Sequence, residues 1–414
     1  MIEIIFWTVL AIMLLDFVVE RYLSFLNLKA LKPELPSVLN GIYDAENYRN
    51  MFRYYRRRDR FSLLSGSVSF VISFIFFAVG GFGWLDGIIR SFSANELVCG
   101  LLFLAAIGVA STIISLPFSY HSVFAIEEAF GFNKSTRKTF WLDQVKGLLL
   151  GSVLGGGIYA LVYIIYAGTG SWFWILGWAV MMIFSVFMSM FYSTLIVPLF
   201  NKQTPLEDGT LKDKIETFAH KAGFNLTNIF VIDGSKRSTK ANAYFSGLGP
   251  KKRIVLYDTL INDLEEDEIV AVLAHEIGHY KHKHTLKGLV SSFIQSGVIF
   301  YVLSVFLSYS EITAAAGAEV HSFYIGLIMF GLLFTPVEFL LGLFMNTFSR
   351  KHEYQADAFA AKYGLAEPLI EGLKKLSVKS LSNLTPHPWY VKIYYSHPTL
   401  LQRIEALRDF QTND

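Results

Sequence analysis

One cysteine, Cys99, stands in 414 residues. A lone thiol inside an apolar run excludes a disulfide framework and a cysteine-ligated metal centre alike. Charge is scarce as well: 17% of residues are Asp, Glu, Lys or Arg, against about a quarter in a soluble domain. No long Lys/Arg tract occurs and the formal net charge is only +2, so the electrostatic footprint of a nucleic-acid binder is missing. The N-terminal MIEIIFWTVLAIMLLDFVVERYL has neither a basic leading region nor a small-residue cleavage site, and reads as a retained first membrane span rather than a signal peptide. Internal repeats and low-complexity tracts are lacking too.

What fills the chain is apolar. Hydrophobic residues make up 53% and aromatics 16%, with a mean hydropathy of +0.42. A membrane helix needs about 20 apolar residues. Seven segments meet that length, at about 2–25, 61–85, 97–119, 146–168, 171–198, 286–309 and 322–347. Asp16 and Glu20 interrupt the first, and Glu338 follows Pro336 in the seventh. Intramembrane charges of this kind face a bundle interior or water. In the fourth segment, Gly151 and Gly155 form a small-xxx-small pair, expected to let two helices approach closely.

The loops predict orientation. Residues 26–60 carry eight Lys/Arg, and the third loop carries Lys134, Arg137 and Lys138, whereas the loops after spans two, four and six carry one at most. The positive-inside rule then places the N-terminus outside and the C-terminus in the cytosol. Two polar pieces fall on the cytosolic side, 199–285 and 348–414. In the first, TLKDKIETFAHKAGF has helical periodicity, NIFVID and KRIVLYD read as strands, and SGLGPKK as the turn between. DLEEDEIVAVLAHEIGHYKHKH reads as one helix with an acidic first turn. The second piece is mostly helical. The expected fold is mainly α: a seven-helix membrane bundle (1–198 with loops 26–60 and 120–145, then 286–347) plus a small α+β domain assembled from 199–285 and 348–414.

The chemistry concentrates in HEIGH, an H-E-x-x-H pattern of His275, Glu276 and His279. On a helix, positions i and i+4 share a face, so both imidazoles reach one ion at about 2.0–2.1 Å, and Glu276 beside them is a general base rather than a ligand. Zinc lowers the pKa of a water from about 15.7 to about 7. By itself the pattern also fits a helix with surface histidines. A second motif, SRKHEYQADAFAAKYG, sets Glu353 and Asp357 on one helical face. A catalytic zinc takes three protein ligands; Glu353 can be the third, with Asp357 orienting a ligand histidine, although such a pair also suits a solvated helix. NAYFSG, 242–247, reads as a strand edge open to an extended peptide, or as a plain hairpin.

With these stretches in hand, the chain resembles the integral-membrane zinc metalloproteases of the CAAX prenyl protease type 1 family. The likeness runs through PLFNKQTPLEDGTLKDKI, GSKRSTKANAYFSG, KRIVLYDTL, LAHEIGHYKHKH, SRKHEYQADAFA, SHPTLLQRI and FAIEEAFGFNKST. The resemblance implies one Zn2+ per chain on His275, His279 and Glu353, with Glu276 as base and Asp357 behind the ligands. It implies that Asn242 and Ala243 align the substrate backbone, that His397 stabilises the oxyanion or contacts substrate, and that Arg403 fixes nearby carboxylates. It implies a water-filled chamber inside a barrel of seven helices, and cleavage of a C-terminal tripeptide after a prenylated cysteine. His282 and His284 fit the family pattern loosely and are expected to be polar residues at the membrane edge. Two other readings stand beside this one: quality control of misfolded or unprenylated membrane substrates, and a seven-span transporter or scaffold without catalysis. The ending LRDFQTND favours a bacterial inner membrane, with the endoplasmic reticulum as the eukaryotic equivalent. Peptide substrate and lipid bilayer are the expected partners; the sequence is silent on oligomeric state.

Overall fold

A computed structural model describes residues 1–224, 226, 228–246 and 253–412. The chain is mainly helical and multi-pass. Two long helices open it, α1 (Ile2–Ala30) and α2 (Ala45–Ala78), followed by the short α3 (Gly81–Phe92) and then α4 (Glu96–His121). After a wide helical turn come α5 (Arg137–Thr169), α6 (Phe173–Leu195) and the single turn α7 (Val197–Phe200). A polar segment then runs through β1 (Gln203–Pro205), α8 (Thr210–Lys221), β2 (Ile229–Ile232), β3 (Ala243–Ser246), β4 (Arg253–Tyr257), α9 (Asp258–Asp263) and α10 (Glu266–Lys281). The chain re-enters apolar sequence in α11 (His284–Phe306), turns through α12 (Ser310–Ala314), and continues as α13 (Phe323–Lys362), α14 (Ala366–Lys379), α15 (Pro388–Tyr394) and α16 (Leu400–Thr412).

Six helical stretches among the described residues are long and apolar enough to cross a membrane, with mean hydropathy 1.9 to 2.5 over their best windows. One of them, Arg137–Phe200, holds both α5 and α6, parted at Gly170, whose φ of +54° a side chain would strain. Several boundaries differ from the sequence reading. The basic run YYRRRDR is the first half of α2, not a loop, because the Asp44 side chain caps that helix by accepting from the Glu46 and Asn47 amides. The second apolar helix ends at Ala78 rather than 85, where Gly80 at φ +74° redirects the chain into α3. Gly151 and Gly155 do not serve a helix contact: a Cβ at either would meet nothing within 4 Å. The close approach of α4 to α5 lies instead at Gly100, where a Cβ would strike the Tyr159 hydroxyl.

Apolar side chains bury themselves in two separate clusters. One gathers a single end of the apolar helices: Val9, Phe77, Phe103, Tyr159, Phe173, Leu303 and Phe323, from α1, α2, α4, α5, α6, α11 and α13. The other lies at the polar end, where Leu39, Tyr48, Met51 and Tyr54 pack with Ile254, Leu256, Ala271 and Ile277 of the β-sheet and α10. Between them the helices bury little, only 6 to 17% of each best apolar window.

The sheet has the order β1-β2-β4-β3, with β2 and β4 parallel and the other pairs antiparallel. β3 is thus an edge strand. The turn expected at 246–252 lies mostly outside the described residues. Two ion pairs hold the approach to β3. Lys240 Nζ reaches Glu127 Oε2 at 2.7 Å, and Arg237 grips Asp143 with Nε and Nη2 at 2.7 and 2.8 Å.

Candidate metal centre and substrate cleft

Two helices build the centre. α10 begins at a capping box, in which Glu265 and Glu268 each accept the other's backbone N–H. Three acidic residues in its first turn favour the positive end of the helix dipole. α13 is 40 residues long and unbroken. At 1.5 Å per residue it reaches about 60 Å along its path, so the apolar span and the EYQAD motif share one continuous helix, with Pro336 inside it. The helices cross at Gly278: a Cβ there would lie 3.0 Å from Ala356 Cα and from Phe359 Cβ. The glycine inside HEIGH is what lets the histidines of α10 come so near Glu353.

The crossing gathers His275, His279 and Glu353, whose ligand atoms lie within 4.8 Å of one another. The two Nε2 atoms are 3.1 Å apart; His279 Nε2 is 3.2 Å from Glu353 Oε1, and His275 Nε2 is 3.5 Å from Glu353 Oε2. Glu353 Oε2 is buried without a hydrogen-bond partner. A proton shared by the imidazoles does not serve that oxygen. A cation between the three does, and two nitrogens with one carboxylate are the donor set of a metallopeptidase site. The residues therefore fit a metal ion.

Behind the three converging side chains lies a second layer. His275 Nδ1 donates to Asp357 Oδ1 at 2.7 Å, leaving Nε2 aimed at the cluster. Arg403, nearly buried, donates to Asp357 from Nε at 2.8 Å and from Nη2 at 2.6 Å. This bidentate pairing anchors α16 to α13 and fixes the carboxylate that orients the histidine. Burial works against a charged His275, but the hydrogen bond to Asp357 and the Glu353 carboxylate close by outweigh it and raise its pKa to about 9.

The centre opens on a cavity of about 1350 Å³. Glu276 and His279 line one wall; Asn242, Ala243, Tyr244 and Phe245 line another; Ser189 and Tyr192 enter from α6. The edge strand and HEIGH thus face a common space. His397 is exposed, yet its Nε2 lies 3.4 Å from Glu353 Oε1 on the open side. Of the site residues expected from the sequence, Asn242, Ala243, Glu276 and His279 line the cavity, while His275, Glu353, Asp357, His397 and Arg403 gather beside or behind His279. Sequence reading set His284 as a wet residue at the membrane edge; it does open the apolar helix α11, but it is buried, and its Nδ1 lies 3.0 Å from His279 Nδ1. His282 does remain exposed. No spacing rule points to His284, because α10 stops at Lys281 and the turn that follows brings it back.

Residues 24–202 match the family model described as CAAX prenyl protease N-terminal, five membrane helices, and residues 205–411 match that of peptidase family M48. The CAAX prenyl protease 1 homolog of Oryza sativa subsp. japonica is 38% identical, over 97% of this chain and 96% of the rice protein. CAAX prenyl protease 1 of Saccharomyces cerevisiae is 36% identical over 95% of this chain and 92% of its own. The Homo sapiens homolog is 33% identical over 90% and 88%. Among solved structures, the crystal structure of S. mikatae Ste24p superposes with a TM-score of 0.93 at 35% identity, covering 97% of this chain and 99% of that one.

Proposed function

The chain belongs to the CAAX prenyl protease 1 family of M48 membrane metallopeptidases, and from that premise we propose that it is a zinc endopeptidase cleaving a C-terminal tripeptide after a prenylated cysteine. One observation carries the reading: His275, His279 and the buried Glu353 converge beside a cavity that His279 lines and whose other wall is the edge strand β3.

His275, His279 and Glu353 hold one zinc ion per chain, which when bound supplies a Lewis acid for the scissile carbonyl and acidifies a water. The chain's own residues do the rest. The β3 edge from Asn242 and Ala243 offers backbone hydrogen bonds that extend the substrate as an added strand. Glu276, half-buried on the cavity wall, takes the proton from the attacking water and returns it to the leaving amide nitrogen. His397 donates to the oxyanion. Asp357 and Arg403 keep His275 in the tautomer that leaves Nε2 free.

Counting α5 and α6 separately, seven helices cross the membrane. The two apolar clusters at their ends and the sparse burial between support an open chamber, into which the exposed Asp16 and Glu338 face water. The protease unit, 199–285 with 348–414, sits in the cytosol beside the basic segments, and the N-terminus is outside. Its membrane is the endoplasmic reticulum in a eukaryotic host and the inner membrane in a bacterial one. The test is cleavage by purified protein of a farnesylated CAAX peptide and its unmodified twin, with and without a zinc chelator. Preferred, chelator-sensitive cleavage of the farnesylated peptide is expected. Equal cleavage of both would move the substrate class to unprenylated chains, as in quality control. Failure of the zinc-loaded protein to cleave either would overturn the reading.

A further inference from the structure

His284 is the first residue of α11, one residue beyond Lys283. Lys283 adopts φ +57°, a left-handed conformation that non-glycine residues rarely take. Such strain persists where the surrounding structure over-determines it, and it clusters at functional sites. Its effect here is to turn α11 sharply back against α10. His284 thereby comes to lie behind His279, five residues later in sequence, instead of running on along the same helix.

Four contacts hold the His284 ring, one of them the His282 ring stacked beside it with centroids 5.5 Å apart. Nδ1 faces His279 Nδ1 at 3.0 Å, Nε2 faces Gln355 Oε1 of α13 at 2.8 Å, and the ring stacks on His352 with centroids 3.9 Å apart and planes at 12°. The roles follow from the ends of this chain of hydrogen bonds. An amide oxygen only accepts, so His284 Nε2 carries the hydrogen and its Nδ1 is an acceptor. His279 Nδ1–H therefore donates to His284, which leaves His279 Nε2 bare and pointing at Glu353 and His275. His275 has Asp357 in the same place. Each histidine of HEIGH is thus fixed from behind, one by a carboxylate and one by a neutral imidazole.

We infer that His284, set by Gln355, is a positioning residue that fixes the tautomer and ring plane of His279 for metal binding. The inference rests on the reading that His275, His279 and Glu353 are the zinc ligands. It assigns the second half of KHKH a task in the centre and gives Gln355, between Glu353 and Asp357 on α13, a reason to be polar. His284 is no ligand itself: Nδ1 and Nε2 are both engaged, and the converging set stops at His275, His279 and Glu353.

The test uses the full-length protein in detergent. His284→Phe keeps a flat ring against His352 but removes the acceptor; His284→Asn restores an acceptor oxygen near the position of Nδ1. Zinc is titrated against a chromophoric chelator, and the absorption spectrum of the cobalt-substituted protein reports ligand geometry independently of turnover. His284→Phe is expected to lose zinc affinity by about 10- to 100-fold, the usual effect of losing such an orienting partner, and to shift the cobalt bands. His284→Asn is expected to stay close to the unaltered protein in both. Should His284→Phe fail to fold, Gln355→Leu leaves the His284 ring in place while freeing its tautomer, and weaker zinc binding with altered cobalt bands is again expected. Zinc held as tightly as in the unaltered protein, with an unchanged cobalt spectrum, in whichever of these two variants folds would overturn the inference. Failure of the ligand reading looks different: the unaltered protein would then bind no stoichiometric zinc, or Glu353→Ala would retain it.

Discussion

Glu276 and His275 are neighbours to which the proposed mechanism gives separable duties. Glu276 lines the cavity and stays out of the ligand cluster, so Glu276→Gln should retain one zinc per chain while kcat falls about 10²- to 10⁴-fold, the range for loss of a general base. Zinc analysis alongside peptide turnover checks both halves. His275 carries the pH dependence. Its pKa in the folded, metal-free protein is raised from 6.5 to about 9 by Asp357 and Glu353 acting against burial. The folded state therefore binds the proton more tightly than the unfolded chain, and the stability this adds is complete below pH 6.5 and lost as pH rises to about 9. Thermal melting of chelator-stripped protein should show that decline. The zinc-loaded protein should not, because a bound ligand imidazole has already given up its proton. At this scale the sequence was informative where spacing encodes geometry. His275, Glu276 and His279 followed from a helical face, whereas the orphaned oxygen of Glu353 and the back-bonded His284 depend on contacts between distant segments.

The elements that matter most are α10 and α13, and their closest approach is at a glycine. An alanine at position 278 would sit 3.0 Å from Ala356 Cα and Phe359 Cβ. The alanine gains about 1 kcal/mol in helix propensity, but overpacking a tight contact costs about 1–3 kcal/mol. Gly278→Ala should therefore move α10 off α13, widening the gap between the histidines and Glu353. A drop in zinc affinity larger than any drop in melting temperature of the metal-free protein is the expected signature. Periodicity located α10, but it ended the seventh apolar segment at about 347, where α13 runs on without a break to Lys362. It missed that α10 ends at Lys281, because the apolar pattern runs on into the next helix and a left-handed lysine leaves no mark in a hydrophobicity profile. It also assigned Gly151 and Gly155 a contact they do not make, since a small-residue pair permits close packing without supplying a partner.

For the whole molecule, the charge asymmetry of the loops predicts which end faces the cytosol. The sole cysteine, Cys99, is buried, so a Cys99→Ala background gives a clean start for labelling. A cysteine placed at Glu319, exposed beside the apolar cluster that gathers the helix ends, should react with a membrane-impermeant thiol reagent from outside in right-side-out vesicles. One at Glu207, exposed on the protease side, should react only after the vesicles are opened. The reverse pattern would invert the topology.

Composition, run length and the helical repeat determined by themselves that this chain is a multi-pass, mostly helical membrane protein bearing a metallopeptidase motif. Those properties are local: about 20 apolar residues make a span, and two histidines four apart share a face. The tertiary structure decided everything that needs two distant segments at once. It brought Glu353 onto HEIGH across a glycine crossing, set the β3 edge opposite Glu276, tied Arg403 to Asp357, and folded His284 back onto His279. Such contacts depend on helix crossing and chain reversal, which sequence spacing along one element does not specify.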